Sequence, residues 1–482
     1  MNYEMSSTIC APATAPGGAL GIIRVSGPDT FSIVSTLIAG DASRLCKPSV
    51  HYTRIVAPIP CDVVYSHQEA VPCDVVHPHQ EVIDDVILTL FRAPHSYTGE
   101  DTAEISCHGS RYIIQRILNL LVEQGCRMAN PGEFTMRAYL NGKLDLSQAE
   151  AVADLIASTN KATHKMAMSQ LRGGISSELA TLRDQLLKLT SLLELELDFS
   201  DHEDLEFADR SELLSLAQKT DTHITRLAKT FETGQALKQG VPVAIAGKTN
   251  VGKSTLLNAL LKDDRAIVSD IHGTTRDTIE ETIDIQGITF RFIDTAGIRQ
   301  TTDAIERIGI DRTYAAIDKA RIVLWLIDEV PTQDEITDIT TRSKGCTLIP
   351  VWNKCDILPP GPVCCDVIAA PIPISAKTGQ GLNTLEQAIC AAANIPTLND
   401  SDIIVTNARH YDALMRAHSH LQRVIDGLAP QPSPLNSHLP IPSDLLSEDL
   451  RLTIDTLAEI TGGQITPQET LNNIFSHFCV GK

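Results

Sequence analysis

Five short stretches of the 482-residue chain carry residue types and spacings suited to chemistry on a nucleotide. Gly247-Lys-Thr-Asn-Val-Gly-Lys-Ser254 follows the apolar run Val243 to Ala246 and opens a helix-forming stretch, Thr255-Leu-Leu-Asn-Ala-Leu-Leu. Between a strand and a helix such a segment cradles phosphates. Its glycines let backbone amides curl around the oxygens, Lys253 reaches the β- and γ-phosphates, and the Ser254 hydroxyl can ligate Mg2+. Asp294-Thr-Ala-Gly297 closes the run Phe290 to Ile293, where Asp294 can hold Mg2+ through water and the Gly297 amide can bond a γ-phosphate. Gly273-Thr-Thr-Arg-Asp277 lies between them and offers Thr275 as a second hydroxyl ligand to Mg2+. Asn353-Lys-Cys-Asp356 follows the run Thr347 to Val351. A carboxylate there accepts from both N–H donors on guanine's Watson–Crick edge, which adenine does not match, so Asp356 predicts GTP over ATP. Ser375-Ala-Lys377 comes at the end of the next run and would meet the guanine carbonyl with a backbone amide. Ile298 stands where Ras-like enzymes carry a water-orienting Gln, and no arginine finger is evident, so hydrolysis needs another device.

These stretches need strands that end in one row. Short buried-strand runs recur between about Gly240 and Pro396 (Val243 to Ala246, Phe290 to Ile293, Ile322 to Ile327, Thr347 to Val351, Ile372 to Ser375), separated by helix-length segments, which predicts a parallel α/β domain. Around it the pattern is helical. Ile175, Leu179, Leu182, Leu186, Leu189 and Leu193 step by four and three, placing them on one face of a long helix within the helical stretch Asp145 to Gln235. Helical periodicity resumes at His410 to Ile425 and, after a Pro-rich stretch Ala429 to Ser443, at Leu450 to Ile460. The first 130 residues alternate strand-like runs (Gly21 to Val25, Val86 to Phe91, Ala103 to Cys107) with one helix, Arg111 to Glu123. Inside them Cys61 to Pro72 and Cys73 to Asp84 match at seven of twelve positions, a tandem duplication read as an extended surface loop; duplication alone explains the recurrence of His67, His77 and His79.

Composition bounds the partners. Forty Lys and Arg against sixty Asp and Glu give a net charge of −20, which rules out a wholesale basic surface for nucleic acid. No apolar run is long enough for a transmembrane helix, and the opening Met-Asn-Tyr-Glu lacks a basic secretory n-region, so the cytoplasm is the expected compartment. Twelve scattered cysteines without a Cys-x-x-Cys pair read as reduced, mostly buried thiols.

The whole chain resembles the MnmE (TrmE) family of tRNA-modification GTPases. The likeness runs through Ala11-Pro-Ala-Thr, Gly21-Ile-Ile-Arg-Val-Ser-Gly27, Ser96-Tyr-Thr-Gly-Glu-Asp101, Pro131-Gly-Glu-Phe134, Lys143-Leu-Asp-Leu-Ser-Gln-Ala-Glu150 and the terminal Cys479-Val-Gly-Lys482. The resemblance implies a multidomain α/β plus α fold. An N-terminal α+β folate-binding and dimerising domain (1–142) is followed by a helical bundle in two parts (143–238 and 398–482), with a Ras-like P-loop G domain (239–397) inserted between them. It implies a K+-activated GTP hydrolase. With an FAD-dependent, NADH-using MnmG (GidA) partner, such a protein adds a carboxymethylaminomethyl or aminomethyl group to C5 of the wobble uridine of certain tRNAs. The carbon comes from 5-formyl- or 5,10-methylene-tetrahydrofolate. A homodimer, joined to the partner in a heterotetramer or larger assembly, and no membrane association are expected.

Carried over position by position, the resemblance assigns GTP binding to Asn250, Val251, Gly252, Lys253, Ser254 and Thr255, and to Ser269, Asp270, Ile271, His272, Gly273, Thr274 and Thr275. Asp294, Thr295, Ala296 and Gly297, then Asn353, Lys354 and Asp356, and finally Ser375, Ala376 and Lys377 complete that set. K+ falls to Asn250, Ser269, Ile271 and Thr274, Mg2+ to Ser254 and Thr275, and catalysis to Glu306, which would polarise water. Folate falls to Arg24, Glu104, Lys143 and Lys482, where cations suit the glutamate tail and a carboxylate suits the pterin edge; Cys479 would sit near the one-carbon unit. Two other classes compete: a GTP-dependent RNA-binding switch without modification chemistry, and a P-loop ATPase or kinase. The single P-loop and the helical C-terminal segment disfavour the first, and Asp356 the second.

Overall fold

The computed structural model describes residues 6–15, 17–39, 47–58, 80–198, 210–262, 281–293, 316–357, 369–395, 403–429 and 443–463, with Leu471, 474–476, Phe478 and Gly481 near the end. The chain forms two compact units: Met1–Ala153 with Leu171–Ser176 and Ala458–Lys482, and Asp154–Gln170 with Ser177–Leu457. Among the described residues no helix is long and apolar enough to cross a membrane.

The first unit is built on a six-stranded sheet of order β3-β4-β5-β2-β1-β6, comprising β1 (Ile9–Pro12), β2 (Leu20–Ser26), β3 (Ser49–Pro58), β4 (Gln80–Phe91), β5 (Thr102–His108) and β6 (Arg127–Met128). The strand pattern is legible in β2, where Ile23 and Val25 are buried while Ile22 and Arg24 between them are only half-buried. Helices α1 (Thr30–Leu37) and α2 (Arg111–Glu123) cover the buried face, α2 through Ile114, Ile117, Leu118 and Leu121 at helical spacing. The opposite face of β2 and β5 carries Arg24 and Glu104, which oppose each other directly in the antiparallel register. Helix α3 (Glu133–Leu140) follows β6, and α4 (Leu146–Ala157) follows it.

In the second unit, α5 (Lys161–Leu171), α6 (Gly174–Asp198), α7 (Arg210–Gln239), α8 (Lys253–Lys262), α9 (Gln333–Arg342), α10 (Leu382–Ala393), α11 (Ala408–Leu428) and α12 (Ser443–Thr461) accompany a second six-stranded sheet, with α5, α6 and α12 each running on into the first unit. All six residues of the expected stripe on α6, Ile175 to Leu193, are buried. Helices α7 and α11 meet through the stacked rings of Phe231 and Tyr411, 4.5 Å apart.

The second sheet has the order β12-β11-β10-β7-β9-β8, with β7 (Val241–Gly247), β8 (Glu281–Ile285), β9 (Ile288–Phe292), β10 (Ile322–Ile327), β11 (Thr347–Trp352) and β12 (Ile372–Pro373). Every residue of β10 is buried; Ile322, Leu324 and Leu326 face one apolar layer, while Val323, Trp325 and Ile327 face another. That two-sided burial is why the central strands read as continuous apolar runs. The five expected strand runs pair in parallel, and the structure adds a sixth strand, β8, which runs antiparallel to β9. The two form a hairpin whose turn residues, Gln286 (φ 54°) and Gly287 (φ 82°), both lie in the left-handed region that suits a two-residue turn.

Two crossings join this sheet to the helices. Gly240 links α7 to β7. The returning segment 403–406 lies along α7 and α5: Val405 N donates to Thr230 Oγ1 (3.0 Å), Gln235 Nε2 to the Thr406 carbonyl (2.9 Å) and Gln170 Nε2 to the Ile404 carbonyl (3.0 Å).

Candidate functional site

The C-terminal ends of β7, β10, β11 and β12 bring together the described part of the nucleotide site, as open α/β sheets do. Strand β7 ends at Gly247 and α8 begins at Lys253, so the intervening loop presents amides at a helix N-terminus. Lys253 Nζ donates to the Gly247 carbonyl at 2.7 Å, folding the side chain back over the loop, and burial pulls its pKa below the ordinary lysine value. Asn250 (φ 61°) and Gly252 (φ 100°) adopt left-handed backbone. A Cβ on Gly252 would lie 2.3 Å from Asn353 Nδ2, so glycine is required there by the approach of a second loop as well as by its φ. Ser254 is half-buried and Thr255 exposed.

Asn353 joins three of the motifs. Its Nδ2 donates to the Val251 carbonyl (2.7 Å) in the P-loop, and its Oδ1 accepts from the Ala376 amide (3.0 Å) in Ser375-Ala-Lys377. Both bonds are buried. Ser375 N donates to the Gln380 carbonyl (2.9 Å), its own carbonyl accepts from Gly379 N (2.9 Å), and its Oγ accepts from the Thr378 amide (3.3 Å). Asp356 and Lys377 are exposed at the rim, open to a ligand from solvent.

Four acidic or basic residues of this site were not anticipated. Lys354 Nζ pairs with Asp328 Oδ2 at 2.7 Å, and Lys248 Nζ pairs with Glu329 Oε1 (2.5 Å) and Glu335 Oε1 (2.8 Å). Those hydrogen bonds, Glu329 first, raise the Lys248 pKa. Glu335 is itself fixed by a capping box with Thr332 at the start of α9. The signal for Asp328 was positional, since it directly follows β10. The others join residues more than eighty apart, and no sequence pattern marks them.

In the first unit, Arg24 donates to Glu104 Oε1 through Nη2 (2.7 Å) and Nε (3.0 Å), and through Nη1 to the Gly481 carbonyl (3.3 Å). Two of the residues expected to meet folate therefore pair with each other, and one of them reaches Gly481 near the C-terminus. Lys143 is exposed and donates instead to the Pro94 carbonyl (3.0 Å), on the loop that also carries Tyr97. Ser269, Asp270, Ile271, His272, Gly273, Thr274, Thr275, Asp294, Thr295, Ala296, Gly297, Glu306, Cys479 and Lys482 lie outside the described residues, as do most of the duplicated segment and of the Pro-rich stretch.

A phosphate loop between β7 and α8, tied by one buried asparagine to two further strand-end loops of a sheet covered on both faces, defines the class of P-loop nucleotide-binding proteins. A family model described as the MnmE helical domain matches residues 146–479, and one described as the GTP-binding protein TrmE N-terminus matches residues 8–143. The tRNA modification GTPase MnmE of Phocaeicola vulgatus is 50% identical over 509 residues, covering 100% of each chain. The protein of that name from Parabacteroides distasonis is 51% identical over 488 residues, covering 99% of this chain and 100% of the other. That of Porphyromonas gingivalis is 47% identical, covering 98% of each. The chain belongs to the MnmE family of tRNA modification GTPases.

Proposed function

We propose that this chain is a K+-activated GTP hydrolase that acts with an FAD-dependent, NADH-using MnmG (GidA) partner. Together they add a carboxymethylaminomethyl or aminomethyl group to C5 of the wobble uridine of certain tRNAs, with the carbon supplied by a tetrahydrofolate. The observation that carries the nucleotide half is the Asn353 bridge, which holds the phosphate loop and the base loop in one fixed relation. Lys253 supplies charge to the phosphates, Asp356 selects guanine, and Ser375-Ala-Lys377 meets its carbonyl. Asn250 and Ser254 present neutral oxygen donors beside the phosphate loop, a set that fits the hard cations K+ and Mg2+. Those ions, when bound, neutralise charge developing on the transferred phosphoryl group. Glu306 orients the attacking water.

The folate half is supported by the Arg24–Glu104 pair, which combines a cation for a carboxylate tail with a carboxylate for a ring donor edge beside two aromatic rings. Lys143, Lys482 and Cys479 complete that site in the same reading. A homodimer in the cytoplasm, assembled with the partner, is the expected working form. The test is the nucleoside composition of total tRNA from a strain lacking the chain. Loss of the modified wobble uridine, restored by the wild-type gene, is expected. An unchanged profile would leave a GTP-dependent switch without modification chemistry.

A further inference from the structure

Two stretches of the first unit have no part in the function above, Ser96-Tyr-Thr-Gly-Glu-Asp101 and Pro131-Gly-Glu-Phe134. The fold locks them together beside Arg24. Glu100, from the first, accepts from Arg137 Nη1 (3.2 Å to each carboxylate oxygen) and from Ser26 Oγ (2.8 Å). Arg137 is fully buried on α3 and also donates to Glu133 Oε1 (3.1 Å). Glu133, equally buried, is held by Arg127 (2.6 and 3.0 Å) and by the Asn130 amide (2.8 Å). Burial pushes the Glu133 pKa up, but the bonds from Arg127 and Asn130 and the charges of Arg127 and Arg137 outweigh it and keep the carboxyl ionised. A buried ionic chain of this kind adds little net stability. What it does here is fix where its members sit.

The part so fixed is the loop carrying Tyr97. The Tyr97 hydroxyl shares a hydrogen bond with Thr135 Oγ1 (2.8 Å), one residue beyond Phe134 on α3. The rings of Tyr97 and Phe134 lie 5.2 and 5.8 Å from the Arg24 guanidinium carbon, within cation–π range. The guanidinium therefore has an aromatic wall, an anionic partner and a carbonyl acceptor, and its orientation depends on all three. We propose that Tyr97 and Thr135 are positioning residues that hold the Arg24–Glu104 pair in the orientation that receives a reduced folate, with the chain Glu100–Arg137–Glu133–Arg127 clasping the loop on which Tyr97 sits. The inference rests on the folate reading and gives the two unassigned stretches one shared task.

The experiment is a double-mutant cycle on the full-length chain, with 5-formyltetrahydrofolate as the probe, read as Kd by titration calorimetry. Circular dichroism melting checks that each variant folds. Removing a cation–π contact of roughly 1.4 kcal/mol corresponds to a tenfold rise in Kd, so Tyr97→Leu weakens binding about tenfold. Thr135→Val, which keeps the shape but loses the hydroxyl, weakens it by about threefold. In an Arg24→Gln background both effects vanish, because their target is gone. Equal fold losses in both backgrounds, or unaltered binding by Tyr97→Leu, overturn the positioning role while the folate reading stands. If the wild-type chain binds no 5-formyltetrahydrofolate, the folate reading falls and the positioning role falls with it.

Discussion

Replacing Asn353 with alanine tests whether one buried amide organises the nucleotide site. Asn353, Val251 and Ala376 are 2%, 1% and 6% exposed, so water cannot replace either of the lost hydrogen bonds without rearrangement. Each buried group left without its partner costs about 1–3 kcal/mol, so about 2–6 kcal/mol of the ordering of the two loops is lost. If nucleotide binding must resupply about 3 kcal/mol of that, Kd for GDP rises by about two orders of magnitude. Asn353→Asp gives a sharper version. It keeps the acceptor for the Ala376 amide but sets a carboxylate oxygen against the Val251 carbonyl, where Nδ2 now donates at 2.7 Å. This variant should bind worst at neutral pH and recover partly as pH falls, because a protonated carboxyl can donate again. The assay is titration of a fluorescent GDP analogue into the full-length chain, with a calorimetric scan of the ligand-free protein. A Kd within about threefold of wild type in both variants, with unchanged unfolding, would refute the bridging role.

Asp356→Asn should lose GTP affinity and gain affinity for xanthosine triphosphate, read by competition binding; retained GTP preference would count against Asp356 as the base selector. Turnover in K+ should exceed that in Na+ at fixed ionic strength, and Asn250→Ala should lose the difference, so equal rates in the two salts would remove the K+ site. Glu306→Ala should bind GTP normally yet hydrolyse it about 10²-fold more slowly in single-turnover assays; normal single-turnover hydrolysis would deny it a catalytic part. Glu133→Gln should destabilise the first unit by about 1–3 kcal/mol, since Arg127 and Arg137 lose an ionised partner while Arg137 keeps its bonds to Glu100. The folded Glu133 pKa lies below its ordinary 4.5, so its stabilisation is present above that value and is lost as pH falls through the lowered one. Acid titration of the variant should lack this part of the wild-type unfolding curve, and superimposable curves would contradict it.

What could be read from the sequence was whatever local chemistry dictates. Helix α2 runs over the expected Arg111–Glu123, because its apolar residues repeat at helical spacing between Ser110 and a left-handed Gly125. The α6 stripe was legible for the same reason. Strand β8 escaped notice, being five residues long with two acidic side chains, one half-buried and one exposed, in an edge position. The P-loop could be recognised as a continuous string, whereas its struts could not: Lys248 finds Glu329 and Glu335 only after the chain has crossed the sheet. Asn353 was assigned to the base loop, yet its contact with Val251 spans 102 residues and follows from topology alone. Likewise Arg24 and Glu104 came from a family likeness; that they pair is a matter of strand register.

The two crossings between helices and nucleotide sheet lie against the same helix, α7, which leads out through Gly240 and grips the returning segment through Thr230 and Gln235. A domain whose two ends stand side by side is a cassette. Its coding sequence can be spliced into, or cut from, that of the helices by bridging a short gap, with no helix rerouted and one small apolar cluster, Met166, Leu237 and Ile404 against Ile288 and Ile395, left to be covered. The same geometry gives a change in the cassette two adjoining outlets, α7 and the start of α5, where Asn160 Nδ2 donates to Thr289 Oγ1 of β9 (2.7 Å). Because both strands of the junction bear on α7 and the returning one bears also on α5, tilting of the nucleotide sheet reaches the bundle as leverage on that pair of rods.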